Sequence, residues 1–258
     1  MLLLILYMEK IRISAVSYLN TKPFVYGLQH SELLNRMDLM LDIPSLCATK
    51  LSSNLADIGL IPVAAIAEVP NAQIISDYCI ASSGKVRTVV MASNVPLNEI
   101  KKVLLDYHSR TSVQLVQILA KFFWKIQPEW EHAQSRNSLT DMAESTAAVI
   151  IGDRAFGIEK EFKFCYDLGE VWKQFTGLDF VFACWIANKP IDIEFVSDFN
   201  RALAHGILHI VDVAREYEKD YPDYSLNEYF SENINFVFDD SKRKGLELFL
   251  KLNSDLAG

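Results

Sequence analysis

The sequence has few cysteines, few glycines and no long hydrophobic run, and each shortage excludes a class of protein. Four Cys in 258 residues, none of them in a CxxC pair, exclude a small disulfide-rich scaffold. Ten Gly and eight Pro exclude a collagen-like chain. No segment approaches the roughly 20 apolar residues of a membrane span, so we expect no membrane partner. The five His are not at metal-ligand spacing, and we expect neither a metal site nor a cofactor.

An excess of basic charge is also lacking. The chain has 33 acidic and 25 basic residues, a net charge of −8 and a pI near 5.2. Nucleic-acid-binding proteins usually show a basic face, so we expect no nucleic-acid partner. Half of the residues are apolar, which excludes a disordered chain and suits one large domain or two lobes. An anionic small molecule is still compatible with this charge, because local donors hold such ligands.

The first seven residues, MLLLILY, form an apolar run without the charged n-region or the cleavage site of a signal peptide. We interpret residues 1–7 as an upstream extension, with Met8 as the natural first residue. The scattered cysteines are interpreted as buried, reduced thiols, which are typical of a cytoplasmic protein. The sequence does not indicate an oligomeric state.

The chain alternates short apolar strands with helices. Strands are predicted over residues 11–16, 37–43, 57–61, 74–81, 87–92, 147–151 and 180–187, and helices over 23–28, 45–53, 62–67, 98–105, 113–125, 139–145, 192–217 and 241–252, the last with Ser241 as N-cap. Continuous apolar strands separated by helices are covered on both faces, which predicts an α/β fold. We predict two lobes around a central ligand cleft, connected by two crossover strands. Lobe 1 comprises residues 8–90 and 185–258, and lobe 2 comprises residues 91–184.

Polar residues cluster where the predicted strands end and where one long helix begins. The clusters contain Ser17, Tyr18, Asn20 and Thr21; Ser83 and Thr88; Ser109, Arg110, Thr111 and Ser112; and Gly152 with Asp153. Hydroxyls, amides and the free N–H groups of helix N-termini bind anions. Each cluster alone is typical of a cap or turn. Several such loops on one side of the sheets together favour a site for a small carboxylated ligand.

Residues 17–23, SYLNTKP, resemble the N-terminal signature of the menaquinone-biosynthesis family with a periplasmic-binding-protein-like fold. The resemblance continues in the family's order over residues 57–63, 109–112, 151–155, 167–170, 176–178 and 180–183, and at Trp185. The first loop lacks the Cys, Pro and Asp of the dihydroxynaphthoate synthase branch, and it is closer to the chorismate dehydratase branch of the futalosine pathway. Thr88 stands where the family pattern has Ser, and it keeps the hydroxyl.

This resemblance implies a type II periplasmic-binding-protein-like fold and a hydro-lyase that converts chorismate to 3-[(1-carboxyvinyl)oxy]benzoate without a metal or cofactor. Asn20 is the candidate that positions the leaving hydroxyl or the ring. Asp153 is one candidate base, and the enolpyruvyl carboxylate of the substrate is the other. The residues expected to bind substrate are Ser17, Tyr18, Thr21, Ser83, Thr88, Ser109, Arg110, Thr111, Ser112 and Gly152.

Two other functions remain open at this point. The sister dihydroxynaphthoate synthase has the same fold with different chemistry. A non-catalytic solute-binding protein for a small carboxylate would need export or a lipid anchor, and the N-terminus shows neither a cleavable pattern nor a lipobox-like Cys. His205 and His209, four residues apart on one predicted helix, are interpreted as packing residues.

Overall fold

The computed structural model describes residues 9–106, 110–133 and 142–257. Its strands are β1 Ile11–Val16, β2 Met37–Asp42, β3 Ile58–Pro62, β4 Gln73–Ser82, β5 Val89–Ser93, β6 Lys102–Leu105, β7 Glu129–His132, β8 Thr146–Ile151, β9 Phe164–Asp167, β10 Phe180–Ala187 and β11 Asn235–Val237. Its α-helices are α1 Lys22–Gln29, α2 Pro44–Ser52, α3 Arg110–Ile118, α4 Leu168–Thr176, α5 Ile193–Leu208, α6 Ile210–Tyr217, α7 Leu226–Glu228 and α8 Asp240–Ala257.

The described strands form two mixed sheets. The first has the order β11-β4-β10-β3-β1-β2, in which β10 is antiparallel to both of its neighbours. The second has the order β7-β6-β8-β5-β9. The chain passes from the first sheet to the second between β4 and β5, and it returns between β9 and β10. This arrangement confirms the predicted α/β fold with two crossings.

The C-terminal part of the chain packs on the first sheet. Strand β11 pairs with β4, and helix α5 crosses α1 at very short range. A Cβ atom on Gly27 would lie 1.9 Å from the carbonyl oxygen of Ala202, and one on Gly206 would lie 1.7 Å from that of Pro23. Only glycine allows the two helix backbones to approach so closely. The predicted lobe boundaries at 90/91 and 184/185 fall inside β5 and β10, and the division into lobes stays a prediction.

The predicted helix over residues 98–105 is wrong. Residues Leu97–Glu99 form one 3₁₀ turn, and Lys102–Leu105 form β6 between β7 and β8. The apolar positions 100, 103 and 104 fit a helical period as well as a buried strand, and so short a run does not separate the two. The segment forms a strand because it pairs with β7 on one edge and with β8 on the other.

Other local predictions also need correction. The helix predicted over 192–217 is interrupted at His209, which separates α5 from α6. Ser241 is not an N-cap, because α8 begins at Asp240 and the carboxylate of Asp239 accepts a hydrogen bond from the backbone N–H of Lys242 (3.1 Å). The helix predicted over 139–145 lies partly outside the described residues, and residues 142–145 are not helical. Strands β7, β9 and β11 and helix α4 were not predicted.

Candidate functional site

A cavity of about 60 Å³ lies between the two sheets. The loop after β1, the start of α3 and the turn after β8 all contribute to its lining. Most of its wall is apolar, with Val16, Pro44, Leu60, Pro62, Ile80, Val86, Val89, Ile151, Phe182 and Ala183. No charged side chain of the described residues lines it. Such a wall suits the face of a ring, and the polar groups at its edge suit the substituents of that ring.

Seven of the predicted site residues line this cavity: Tyr18, Asn20, Thr21, Thr88, Thr111, Ser112 and Gly152. They come from four regions that are far apart in the sequence. Ser17, Ser83, Arg110 and Asp153 do not line it. Ser109 lies outside the described residues.

The predicted residues that miss the cavity have other partners. The backbone N–H of Ser17 donates to the carbonyl oxygen of Asp42 (2.9 Å). The Ser83 hydroxyl accepts a hydrogen bond from the side-chain amide of Asn235 (3.2 Å). Arg110 forms an ion pair with Glu68. These contacts support the backbone and the surface, and they give no indication of a ligand.

Asn20 lies in the 3₁₀ turn Leu19–Thr21 that leads directly into α1. The Thr21 hydroxyl donates to its amide oxygen Oδ1 (3.2 Å). Pro23, in the first turn of α1, fixes the backbone that follows. Because Oδ1 already accepts this bond, Thr21 orients the amide, and the Nδ2 group is the end of Asn20 that can donate to a ligand.

Gly152 allows the loop after β1 to meet the turn after β8. Its φ is +65°, a left-handed conformation that other residues rarely adopt. A Cβ atom at this position would lie 3.0 Å from two ring carbons of Tyr18. The left-handed φ and the close approach of the Tyr18 ring together favour glycine at this position.

The N-terminal turn of α3 supplies Thr111 and Ser112 to the cavity. The Thr111 hydroxyl donates to the carbonyl oxygen of Phe182 (3.2 Å) and accepts from the backbone N–H of Ala64 (3.3 Å). Thr111 therefore holds α3 against the first sheet. The positive end of the helix dipole, together with Ser112, lies at the cavity and favours a carboxylate there.

Thr88 follows the segment in which the chain passes from the first sheet to the second, and Asp167 holds this segment in place. The Asp167 carboxylate accepts hydrogen bonds from the backbone N–H groups of Val86 (3.0 Å) and Arg87 (2.7 Å), and it also caps α4. Burial raises the pKa of Asp167, although these hydrogen bonds oppose that rise. Arg87 has a left-handed φ of +64°. The carboxylate thus stabilises a bend that presents the Thr88 hydroxyl to the cavity.

Asp153 lies next to the cavity and uses both carboxylate oxygens for protein contacts. Oδ1 accepts from the backbone N–H of Leu19 (3.1 Å), and Oδ2 accepts from the hydroxyl of Tyr221 (3.0 Å). Burial raises the pKa of Asp153, while these two bonds and the charges of Lys22 and Arg154 lower it. The role of Asp153 as a general base stays a prediction. Its geometry favours a positioning role instead.

The sequence did not predict the residues that hydrogen-bond to the groups at the cavity and hold them in place. The hydroxyl of Tyr229, which is buried, lies 3.0 Å from Oγ1 of Thr88. Burial raises the pKa of Tyr229, against the hydrogen bond with Thr88. Tyr221 and Tyr229 belong to a segment rich in tyrosine that no predicted element contained. That composition is the only signal the sequence offers for them.

Histidines and cysteines do not form a second centre in the described part of the chain. No three His, Cys, Asp or Glu side chains there lie close enough to hold a metal ion. The rings of His205 and His209 pack against each other in a tilted arrangement, with centroids 4.1 Å apart. All four cysteines are free thiols, and Cys165 is exposed, which corrects the expectation that all four are buried. No helix of the described ranges combines the length and apolar content needed to cross a membrane.

Comparison with known proteins adds family and fold. A family model described as menaquinone biosynthesis matches residues 11–255. Protein AF1704 from Archaeoglobus fulgidus superposes with a TM-score of 0.75 at 13% identity, covering 96% of this chain and 98% of its own. A Candida albicans gene product described as having the generic periplasmic binding protein fold superposes with a TM-score of 0.61 at 13% identity, covering 96% of this chain and 91% of its own. The periplasmic aliphatic sulphonate binding protein SsuA from Escherichia coli superposes with a TM-score of 0.60 at 14% identity, covering 96% of this chain and 92% of its own. The predicted periplasmic-binding-protein-like fold is confirmed.

Proposed function

The chain belongs to the menaquinone biosynthesis family, and on that premise we propose that its cavity binds chorismate and removes water from it, giving 3-[(1-carboxyvinyl)oxy]benzoate. One observation carries the proposal. Loops around residues 18–21, 111–112 and 152, which are distant in the sequence, converge on one cavity with apolar walls and a polar edge. That combination matches a ring that carries two carboxylates and a hydroxyl.

The reaction breaks two bonds from ring carbons to their substituents, one C–H bond and one C–O bond. A base takes the proton from the ring carbon that bears the enolpyruvyl ether. The electron pair of that C–H bond becomes a ring double bond as the neighbouring hydroxyl leaves, and the hydroxyl takes up the proton that the base removed, so that water is released. Aromatisation supplies much of the driving force, so positioned acid and base groups, which contribute about 10²–10⁴-fold, are enough. We assign the base to the enolpyruvyl carboxylate of the substrate, because no carboxylate or imidazole of the described residues lines the cavity.

In this proposal the polar residues of the cavity contact different parts of the substrate. The Nδ2 group of Asn20, oriented by Thr21, donates to the leaving hydroxyl or holds the ring. Thr88 and Ser112 donate to the carboxylates, and the N-terminus of α3 adds its partial positive charge. The apolar walls exclude water from the reacting carbons, which strengthens each of these contacts.

The cavity lies between the loops of the two sheets. We propose that these loops move apart to admit chorismate and then close around it. Orientation in the closed cleft supplies the part of the rate enhancement that acid and base groups do not.

Incubation of the purified protein with chorismate, followed by detection of the aromatic ether product, tests the proposal. Asn20→Ala is expected to lower kcat by about 10²-fold, the effect of losing a positioned donor in a closed site. Asn35→Ala is the matched control, since Asn35 is exposed and lies away from the cavity. A normal rate in Asn20→Ala would contradict the role given to that amide.

Other outcomes identify other functions. Tight binding of chorismate without product indicates a binding protein, and neither binding nor product favours the sister synthase. A reducing, cytoplasmic location is part of the proposal, and the free thiols of Cys47, Cys79, Cys165 and Cys184 support it.

A further inference from the structure

Three tyrosines of one segment, residues 221–229, pack around the ring of Phe156. Their ring centroids lie 5.7 Å (Tyr221), 4.6 Å (Tyr224) and 5.2 Å (Tyr229) from that of Phe156. Phe156 follows the turn after β8, on the side of the second sheet. The segment itself follows α6, which packs on the helices of the first sheet. The tyrosines therefore connect the two sides of the cleft at one apolar contact.

The hydroxyls of the three tyrosines differ in what they bind. Tyr221 donates to Oδ2 of Asp153 (3.0 Å), and Tyr229 shares a hydrogen bond with Oγ1 of Thr88 (3.0 Å). The Tyr224 hydroxyl is buried and has no hydrogen-bond partner among the described residues. Two of three similar rings thus place a hydroxyl on a group at the cavity, and the third makes the ring contact alone.

The contact of Tyr221 reaches the Asn20 loop through Asp153. Oδ1 of Asp153 holds the backbone N–H of Leu19 at 3.1 Å. Leu19 lies between Tyr18 and Asn20, both of which line the cavity. The carboxylate thus accepts from the first free backbone N–H of this turn. Tyr221 fixes the second oxygen of that carboxylate and so holds it on Leu19.

The contact of Tyr229 acts on Thr88 directly. Within the described residues the Thr88 hydroxyl has one other acceptor, the carbonyl oxygen of Val86, at the long distance of 3.4 Å. A Tyr229 hydroxyl that donates to Oγ1 leaves the Thr88 proton available to a ligand. Tyr229 is buried, so its ring cannot follow a moving ligand. It holds Oγ1 in one position at the edge of the cavity.

We propose that Tyr221 and Tyr229 are positioning residues of the cleft: Tyr221 sets the Asn20 loop through Asp153, and Tyr229 sets the hydroxyl of Thr88. The inference rests on the proposed function, because it names what orients the residues of that same site. The two contacts are expected to affect different steps. Thr88 binds a carboxylate in both ground and transition states, whereas Asn20 acts on the leaving group.

Tyrosine-to-phenylalanine variants test this, because they keep the ring and remove one hydroxyl. Tyr229→Phe is expected to raise KM for chorismate about fivefold with little change in kcat, and Tyr221→Phe to lower kcat about fivefold, the factor of one neutral hydrogen bond. Tyr224→Phe is the matched control and is expected to change neither. A purely structural role would move Tm without this split between KM and kcat.

Hydrogen exchange and calorimetry make the test independent of turnover. The amide of Leu19 is expected to exchange faster in Tyr221→Phe than in Tyr224→Phe, and chorismate binding measured by calorimetry is expected to weaken in Tyr229→Phe alone. If the unmodified protein does not convert chorismate, the proposed function fails, and the exchange rates still decide the role of Tyr221. Equal exchange, binding and kinetics in the three variants would overturn the inference.

Discussion

Asp57 and Asp153 are two aspartates held in opposite ways. Asp57, just before β3, accepts from the backbone N–H of Arg12 (2.9 Å), from its guanidinium (2.6 Å) and from the Lys189 ammonium (2.7 Å). Burial alone would raise the pKa of Asp57, but the bonds and charges of Arg12 and Lys189 lower it to about 2. Among the described residues, the hydrogen-bond donors to Asp153, beside the cavity, are the neutral groups of Leu19 and Tyr221, and burial raises the pKa of Asp153.

The difference separates a stabilising contact from a positioning one. At neutral pH the charge of Asp57 is favoured by the fold, since two cations face it. The charge of Asp153 is disfavoured by the fold, because burial outweighs its two hydrogen bonds and the nearby cations. A carboxylate that costs stability and contacts two separate segments beside a cavity is typical of a functional site. We therefore expect changes near Asp153 to affect activity and changes at Asp57 to affect stability.

The largest effect is expected from Gly152→Ala, next to Asp153. The new methyl group would meet the Tyr18 ring at 3.0 Å, and the φ of +65° is unfavourable for alanine. The Tyr18 ring then has to move aside, which displaces the loop that carries Asn20, and misplacement that approaches about 1 Å costs on the order of 10²-fold in turnover. Steady-state kinetics with chorismate measure this. Gly177→Ala is the matched control, because Gly177 also has a positive φ (+73°) with nothing within 4 Å of its Cβ position. Similar losses in both variants would contradict the role of the Tyr18 contact.

Asp57→Asn is expected to lower the free energy of unfolding by about 2 kcal/mol at pH 7, the range of charge-assisted hydrogen bonds. Arg12 and Lys189 lose their shared counter-ion, while the cavity residues keep their positions. Urea denaturation measures the loss, and unchanged KM and kcat in the folded variant show that the contact serves stability. A variant of normal stability would mean that solvent screens the two cations.

The pH dependence of unfolding sharpens the same contrast. The folded-state pKa of Asp57, about 2, lies below its ordinary value of 3.8. Its stabilisation is therefore present above pH 3.8 and is lost as the pH falls towards 2. Between these values the free energy of unfolding is expected to decline more steeply in the unmodified protein than in Asp57→Asn, by at most about 1.4 kcal/mol per pH unit. Parallel denaturation series from pH 5 to about 2.5 compare the two; equal slopes would contradict the contribution of Asp57.

The sequence predicts the first sheet better than the second, for a physical reason. Residues 180–187 are a continuous apolar run, and β10 occupies the same residues because all of them are buried. Residues 11–16 are a shorter run with isoleucine and valine, and β1 occupies the same residues, of which the last four are buried. Strands β7 and β9 are the edges of the second sheet, and most of their residues are not buried. Such strands carry no apolar run, and pairing with a neighbour defines them.

The candidate site was predictable to a similar extent. Loop residues such as Asn20 and Gly152 stand at strand ends, where the pattern and the resemblance both indicate a site. Tyr221 and Tyr229 are 68 and 141 residues away in the sequence from their hydrogen-bond partners Asp153 and Thr88. No local period encodes such a contact, because it depends on how α5 and α6 carry the chain back.

Asp153→Asn is expected to have the smallest effect, and it decides between the two roles of that residue. The asparagine oxygen can still accept from the Leu19 N–H, and its Nδ2 group can donate to the Tyr221 hydroxyl, so a positioning role predicts less than tenfold loss of kcat. The pKa of Asp153 is raised in the fold, so the stabilising contribution of this group is complete below its ordinary pKa and is lost as the pH rises through the folded value. A neutral asparagine is therefore expected to leave the free energy of unfolding at pH 7 unchanged or slightly higher. Turnover and urea denaturation measured on one preparation test both statements. If Asp153 is the general base, kcat is expected to fall by about 10²–10⁴-fold. That result would assign the proton transfer to Asp153.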